Sequence, residues 1–319
     1  MFTIFNHARL IASSLLLLCV SAQSQANTTS PSIEATCSHS YALCLKNIEP
    51  LLSSTQQPSR TWYKYKLLQL EALFNLGKIT ELKQALAPFI HKENLPEAFT
   101  VYIKIYYAKA LGNDKQRDES KKYIQEALTL LYQIQEQLPR PMRLIEIANL
   151  QLIDKQFTQA EQTLLYLEER FSQNALPLFN QELYANLGHV ASMTDQLDKL
   201  LDYREKSLYY TLQVDNKQQN GVAYYNLGRA LFRLEDYASA EENFLLSFKH
   251  AELAQDVSMQ IYAKIRLAEI ALIDDEQDKA LKQSAELEQI ALLNNFPIDQ
   301  HKSYQELKVL LTKASRFIP

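Results

Sequence analysis

The sequence predicts an all-α chain, an α-solenoid of antiparallel helical hairpins, and three observations carry that reading. Of 319 residues only 5 are glycine and 10 proline, while 47% are apolar and long stretches are Leu, Ala, Gln, Glu, Lys and Tyr, a composition that builds packed helices. Small residues recur every 40 positions, at Ala108, Ala148, Gly188, Gly228 and Ala268, and twelve residues after each stands Ser120, Ala160, Leu200, Ala240 or Ala280. Turn residues keep the same schedule: Gly112-Asn113-Asp114, Asp154-Lys155, Thr194-Asp195, Glu235-Asp236 and Asp274-Asp275. Paired small positions at fixed spacing are what two antiparallel helices need where they cross closely.

Taken in order, the chain begins with Met1 to Arg9, which holds one firm positive charge, an apolar run from Leu10 to Val20 and the polar, small-residue segment Ser21 to Ala26. This has the form of a secretory signal peptide over residues 1–26, cleaved after Ala22 or Ala26, which predicts a periplasmic or secreted protein. A short uncleaved anchor is the alternative, and bulky Leu18 before Cys19 argues against lipid attachment. No later run approaches the ~20 apolar residues of a membrane span, so no stable span is expected after cleavage.

Residues 27–58 are predicted to form an N-terminal segment and capping helix. They hold Cys37 and Cys44, which in an exported chain are expected to form a disulfide, two reduced thiols being the alternative. Seven residues along one helix separate Cα atoms by ~10.5 Å, beyond disulfide reach, so the bond requires Cys37 in a turn that folds back. Only His39 lies near the pair, which disfavours a metal site. Residues 59–294 are predicted to form six hairpins, the first from Ser59 to about Ile90 with its turn at Gly77-Lys78. Pro96, Pro139, Pro141 and Pro177 stand near the starts of first helices, where a missing N–H costs nothing. Residues 295–319 are predicted to close the stack with one helix, Ile298 to Arg316, covering the last apolar face.

The segment from Gly221 to Leu253 resembles a tetratricopeptide repeat, with Tyr224, Leu227, Gly228 and Leu231 in the first helix and Tyr237, Ala240 and Phe244 in the second. The resemblance extends over residues 59 to about 294, and its period of 40 is similar to that of long-repeat bacterial regulators and extracytoplasmic sensory domains. Armadillo and HEAT repeats share the period but not the paired small residues. Arg204 and Ser284 depart from the pattern where an aromatic or aliphatic residue is expected, which predicts looser packing there. The resemblance implies a right-handed superhelix whose concave face, lined by first helices, grips a protein or peptide.

On that face the resemblance places Tyr106, Glu146, Asn186, Asn226 and Arg266 in one row, and Lys109, Asn149, His189, Arg229 and Glu269 in the next. Lys109, Asn149, Asn186, His189, Tyr225, Asn226 and Arg229 are the candidate ligand-binding residues. A side-chain amide can pair with both N–H and C=O of an extended peptide, and His189 would gain charge at mildly acidic pH. Tyr102, Tyr225, Phe232 and Tyr262 map near the same face as possible anchors or core.

The sequence offers no Gly-rich nucleotide loop, no His-Glu-x-x-His and no lone nucleophilic cysteine, so no enzyme, catalytic residue, metal or cofactor is expected. A net charge of -4 supplies no global basic footprint for nucleic acid. The predicted function is a protein- or peptide-binding scaffold outside the cytoplasm. The alternative is a stand-alone sensory or regulatory module related to the input domains of bacterial cyclases or kinases.

Overall fold

The computed structural model describes residues 32–113, 116–137, 140–173, 176–214 and 216–315, and those residues are helical with turns between. The predicted signal peptide, both its cleavage positions and Pro139 lie outside them. No helix among the described residues is long and apolar enough to cross a membrane. The chain divides into two units, residues 1–194 and 195–319, and the division falls at the turn of the fourth predicted hairpin.

The first unit opens with α1 (Ile33–His39) and α2 (Tyr41–Ser54). Ser40 breaks them apart in an extended conformation, and its hydroxyl caps α2 by accepting from the Leu43 N–H. That break joins Cys37 to Cys44 in a disulfide with Cα atoms 4.4 Å apart. The fold-back is as required, but Cys37 sits in the last turn of α1 and Ser40 supplies the bend. Both sulfurs are buried with Tyr41, Ile48 and Leu52 of α2, against Trp62, Leu68 and Ala72 of the next helix.

That helix is α3 (Arg60–Asn75), followed by α4 (Ile79–Leu86), α5 (Glu97–Asn113), α6 (Arg117–Gln137), α7 (Pro141–Ile153), α8 (Phe157–Phe171) and α9 (Pro177–Met193). The first predicted hairpin ends early: α4 stops at Leu86, and Pro88, which has no N–H to continue the ladder, is followed by turns up to Pro96. Pro141 and Pro177 occupy the opening positions of α7 and α9. Where α5 crosses α6, the Ser120 hydroxyl donates to the Ala108 carbonyl over 2.7 Å, so the two small positions of the repeat touch.

The second unit comprises α10 (Leu197–Val214), α11 (Lys217–Arg233), α12 (Tyr237–Ala254), α13 (Val257–Ile273), α14 (Gln277–Leu293), a 3-10 turn at Ile298–Gln300 and α15 (Lys302–Ser315). Asn216, Asp236 and Asp256 cap α11, α12 and α13 through their side-chain oxygens. The predicted closing helix is broken once, at extended His301. Tyr304, Leu307 and Leu311 of α15 then cover the apolar face of α13 and α14.

The hairpin turns share one backbone device. Lys155, Asp195, Glu235 and Asp275, each 40 residues from the last, all have positive φ near 60°, as does Gly77. The next amide reaches back five residues in four of these turns, Lys78 to Leu73, Gln156 to Gln151, Asp236 to Leu231 and Glu276 to Ala271, at 2.8 to 3.0 Å. This is the Schellman closure that satisfies the last carbonyls of a helix.

The two departures from the repeat do not loosen the packing as expected. Arg204 is 8% exposed and Ser284 7%, so both are built into the interior. Ser284 simply presents a small side chain. Arg204 brings a guanidinium to a position that Phe244 fills in the next repeat.

Candidate ligand-binding faces

Each unit gathers a polar cluster on its first helices, and the two differ in charge. In the first unit, α5 contributes Tyr102, Tyr106 and Lys109, one to two turns apart on a single face. The Lys109 ammonium lies 4.9 Å from the Phe74 ring centre and 5.6 Å from that of Tyr106, a cation held over π faces. Three carboxylates act on it: Glu182 of α9, Glu71 of α3 and Glu146 of α7. The Tyr102 hydroxyl donates to Glu146 Oε1 over 2.7 Å, and Tyr41 donates to Glu71 Oε1 over 3.4 Å.

Burial dominates the ionisation of this cluster. Loss of water raises the Glu71 carboxyl to about 8 although Lys109 and Tyr41 pull it down. Glu146 rises to about 7 for the same reason, opposed by Tyr102, Arg143 and Lys109. Desolvation lowers Lys109 to about 8 against its three acidic neighbours. The group is a poised acid-base network with its lysine already engaged.

The other candidates of this unit are placed less openly than expected. Asn149 is buried and its Oδ1 has no hydrogen-bond partner among the described residues. Asn186 is 2% exposed, and its amide donates to the Glu182 backbone carbonyl over 2.9 Å. The bidentate grip expected of Asn186 is therefore closed in this conformation, because α9 is buried on its polar positions as well as its apolar ones. His189 is half-buried and has interactions within the chain.

In the second unit the cluster is cationic. Asn226, Arg229 and Arg233 follow at helical spacing on α11, and Arg266 and Glu269 occupy the corresponding positions of α13. Arg266 pairs with Glu269 at 2.5 Å and Arg233 with Asp195 at 2.5 Å. Arg229 is half-buried and makes no hydrogen bond or ion pair among the described residues. Burial first, then Arg266 and Arg233, push its guanidinium downward, while Tyr225 and Glu269 oppose the shift. Arg204 is pushed to about 9 by burial and by Arg229, and it still carries its charge at neutral pH.

Asn226 is half-buried and its amide is unspent among the described residues. Tyr225 is not an exposed anchor. It is 5% exposed, packs on the rings of Phe244 and Tyr262 at 5.5 and 6.0 Å, and hydrogen-bonds Arg266. Helix periodicity explains this, since Tyr225 turns inward where Asn226 turns outward. Of the seven candidates, Asn226 and Arg229 are the pair brought together with unspent polar atoms. The sequence reading missed Glu71, Glu182 and Arg233 as members of these clusters. Arg204 carried a signal, a charge at an apolar position of the repeat.

No family profile and no curated protein matches the sequence. Solved structures do match, at low identity. A Rap protein complexed with Competence and Sporulation Factor is 16% identical with a TM-score of 0.62, over 88% of this chain and 83% of that one. Aspartyl phosphate phosphatase F from Bacillus subtilis is 12% identical with a TM-score of 0.55, over 91% and 81%. A signal-transduction ATPase with a tetratricopeptide repeat sensor from Pyrococcus horikoshii is 12% identical with a TM-score of 0.50, over 86% of this chain and 46% of that one. The chain has the tetratricopeptide-like helical-repeat fold.

Proposed function

We propose that the protein is an exported tetratricopeptide-like scaffold that binds a protein or peptide partner through the first-helix faces of its repeats, with an acidic group of the partner seated on the arginines of the second unit. The observation that carries this reading is Arg229, a half-buried guanidinium with no carboxylate of its own beside Arg204, Arg233 and Arg266. Keeping such charge together out of water is costly unless an anion joins it. Asn226, one turn away, offers both a donor and an acceptor to a backbone amide. The Cys37–Cys44 disulfide supports a location outside the cytoplasm.

A regulatory role is the second reading. It is favoured by the fold shared with a Rap protein solved with Competence and Sporulation Factor and with a signal-transduction ATPase carrying a tetratricopeptide repeat sensor, and it uses the same face.

The test is capture of partners from envelope extracts with the parent protein and with Arg229→Glu and Asn226→Ala, followed by calorimetry on the captured partner. Arg229→Glu should reduce affinity at least tenfold, as expected when a charge-assisted hydrogen bond worth ~1.5–3 kcal/mol is replaced by repulsion. Asn226→Ala should cost less, and both losses should shrink in high salt. Parent-like binding by both variants, with loss on charge reversal along α12, would place the partner elsewhere.

A further inference from the structure

The first unit contains a cleft that borders its charged cluster at Tyr102 and Glu146 and is otherwise separate from it. It has a volume of about 1020 Å³ and is framed by the starts of α3, α5 and α7 and the end of α6. Its walls are apolar: Tyr63 and Leu67 from α3, Phe99 from α5, Leu131 and Ile134 from α6, and Met142 from α7. Four cations, Arg60, Lys64, Arg140 and Arg143, line it as well, against one carboxyl, Glu146. Burial pushes Glu146 up to about 7 and Tyr102 donates to it, so its negative charge is muted.

The cations are not equally committed. Lys64 pairs with Glu34, and Arg143 donates to the Ile134 carbonyl. The Arg60 and Arg140 side chains are exposed and make no hydrogen bond or ion pair among the described residues. Partial positive charge from the opening turns of three helices adds to theirs.

An extended peptide is a poor fit, since it needs donors and acceptors along its length. The Ser59 hydroxyl already caps the Trp62 N–H and the Tyr102 hydroxyl is spent on Glu146, which leaves Asn94 as the amide of the lining. A ligand with one polar end and a long apolar body meets these walls without stranding polar groups. We propose that this cleft binds a long-chain alkyl carboxylate, its chain along Leu67, Phe99 and Leu131 and its carboxylate between Arg60 and Arg140. A recess of this kind takes single chains rather than resting on a bilayer. The site is independent of the Arg229 cluster.

The experiment titrates the whole chain with monomeric dodecanoate and hexadecanoate, with displacement of a fluorescent polyene fatty acid as a second readout. Saturation at one site per chain is expected, tighter for hexadecanoate because more apolar surface is buried. Dodecanol should bind about fivefold more weakly than dodecanoate, and dodecyltrimethylammonium more weakly still. Ala98 is exposed and lines the cleft, so Ala98→Trp should fill it, weaken hexadecanoate at least tenfold and leave the melting curve in place. Arg60→Glu with Arg140→Glu should weaken the anion about fivefold and favour the cation. No saturable binding of hexadecanoate overturns the proposal, as does equal binding of anion and cation or parent-like binding by Ala98→Trp. Binding only to vesicles of anionic phospholipid, or only to an apolar peptide, also overturns it.

Discussion

Gly228 has no room for a side chain. A Cβ built there would lie 2.9 Å from the Phe244 ring, closer than side chains pack. Gly228→Leu should therefore force α11 and α12 apart, at a cost of ~1–3 kcal/mol for the overpacked crossing. A thermal melt checks this, with a fall of several degrees expected and an unchanged Tm contradicting the packing. Sequence spacing revealed this residue because close approach between neighbouring helices restricts residue size whatever the rest of the chain does. It could not reveal Glu71 or Glu182, whose meeting at Lys109 depends on contacts between separate hairpins, in the case of Glu182 two repeats away.

That meeting makes stability depend on pH. Glu71 and Glu146 keep their protons in the folded chain up to about 8 and 7, whereas their ordinary value is 4.5. The folded state then holds more protons than the unfolded one, so this stabilisation is complete below 4.5 and is lost as pH rises through 7 and 8. Lys109 works oppositely: held to about 8 against an ordinary 10.5, it weakens folding below 8 and this handicap is relieved between 8 and 10.5. Denaturant unfolding at intervals from pH 5 to 8 should show falling stability for the parent and a flatter profile for Glu71→Gln. Equal slopes for the two would show that Glu71 is ionised in the fold.

At the level of the element, the hairpin turns expose a mismatch between residue and conformation. Positive φ suits glycine, yet after Gly77 the sites at 155, 195, 235 and 275 carry Lys, Asp, Glu and Asp. Glu235 is exposed and has a φ of 62°. Glu235→Gly should relieve ~1–2 kcal/mol of left-handed strain and return part of it as unfolded-state entropy. A net gain of about 0.5–1 kcal/mol in denaturant unfolding is the expected outcome, and a loss would mean that the Glu235 side chain holds the turn. The turns were legible as recurring clusters that contain Asp, Asn or Gly, the residues that favour turns. The shortness of α4 was harder to read, because Pro88 marks a helix end only once the residues before it are known to be helical. Inward and outward positions were confused for the same reason at Tyr225, where a one-residue shift in helical phase separates a core ring from an open amide.

For the whole molecule, cysteine bookkeeping links the predicted signal peptide to the fold. The chain has three cysteines, and the structure joins Cys37 to Cys44. The remaining one, Cys19, lies in the apolar run of the predicted signal peptide. Cleavage after Ala22 or Ala26 would remove the odd thiol and leave a chain whose every cysteine is bonded, the state suited to an oxidising compartment. A retained leader would instead leave Cys19 available for pairing between chains. Protein recovered from the cell envelope without reductant should thus begin near Gln23 or Asn27, take up no alkylating reagent until reduced, and then take up two equivalents. Intact mass spectrometry before and after reduction reads all three quantities at once. An intact Met1 with one alkylatable thiol would contradict export with cleavage while leaving the Cys37–Cys44 bond in place. Two thiols in a chain that begins near Asn27 would contradict the bond while leaving cleavage in place.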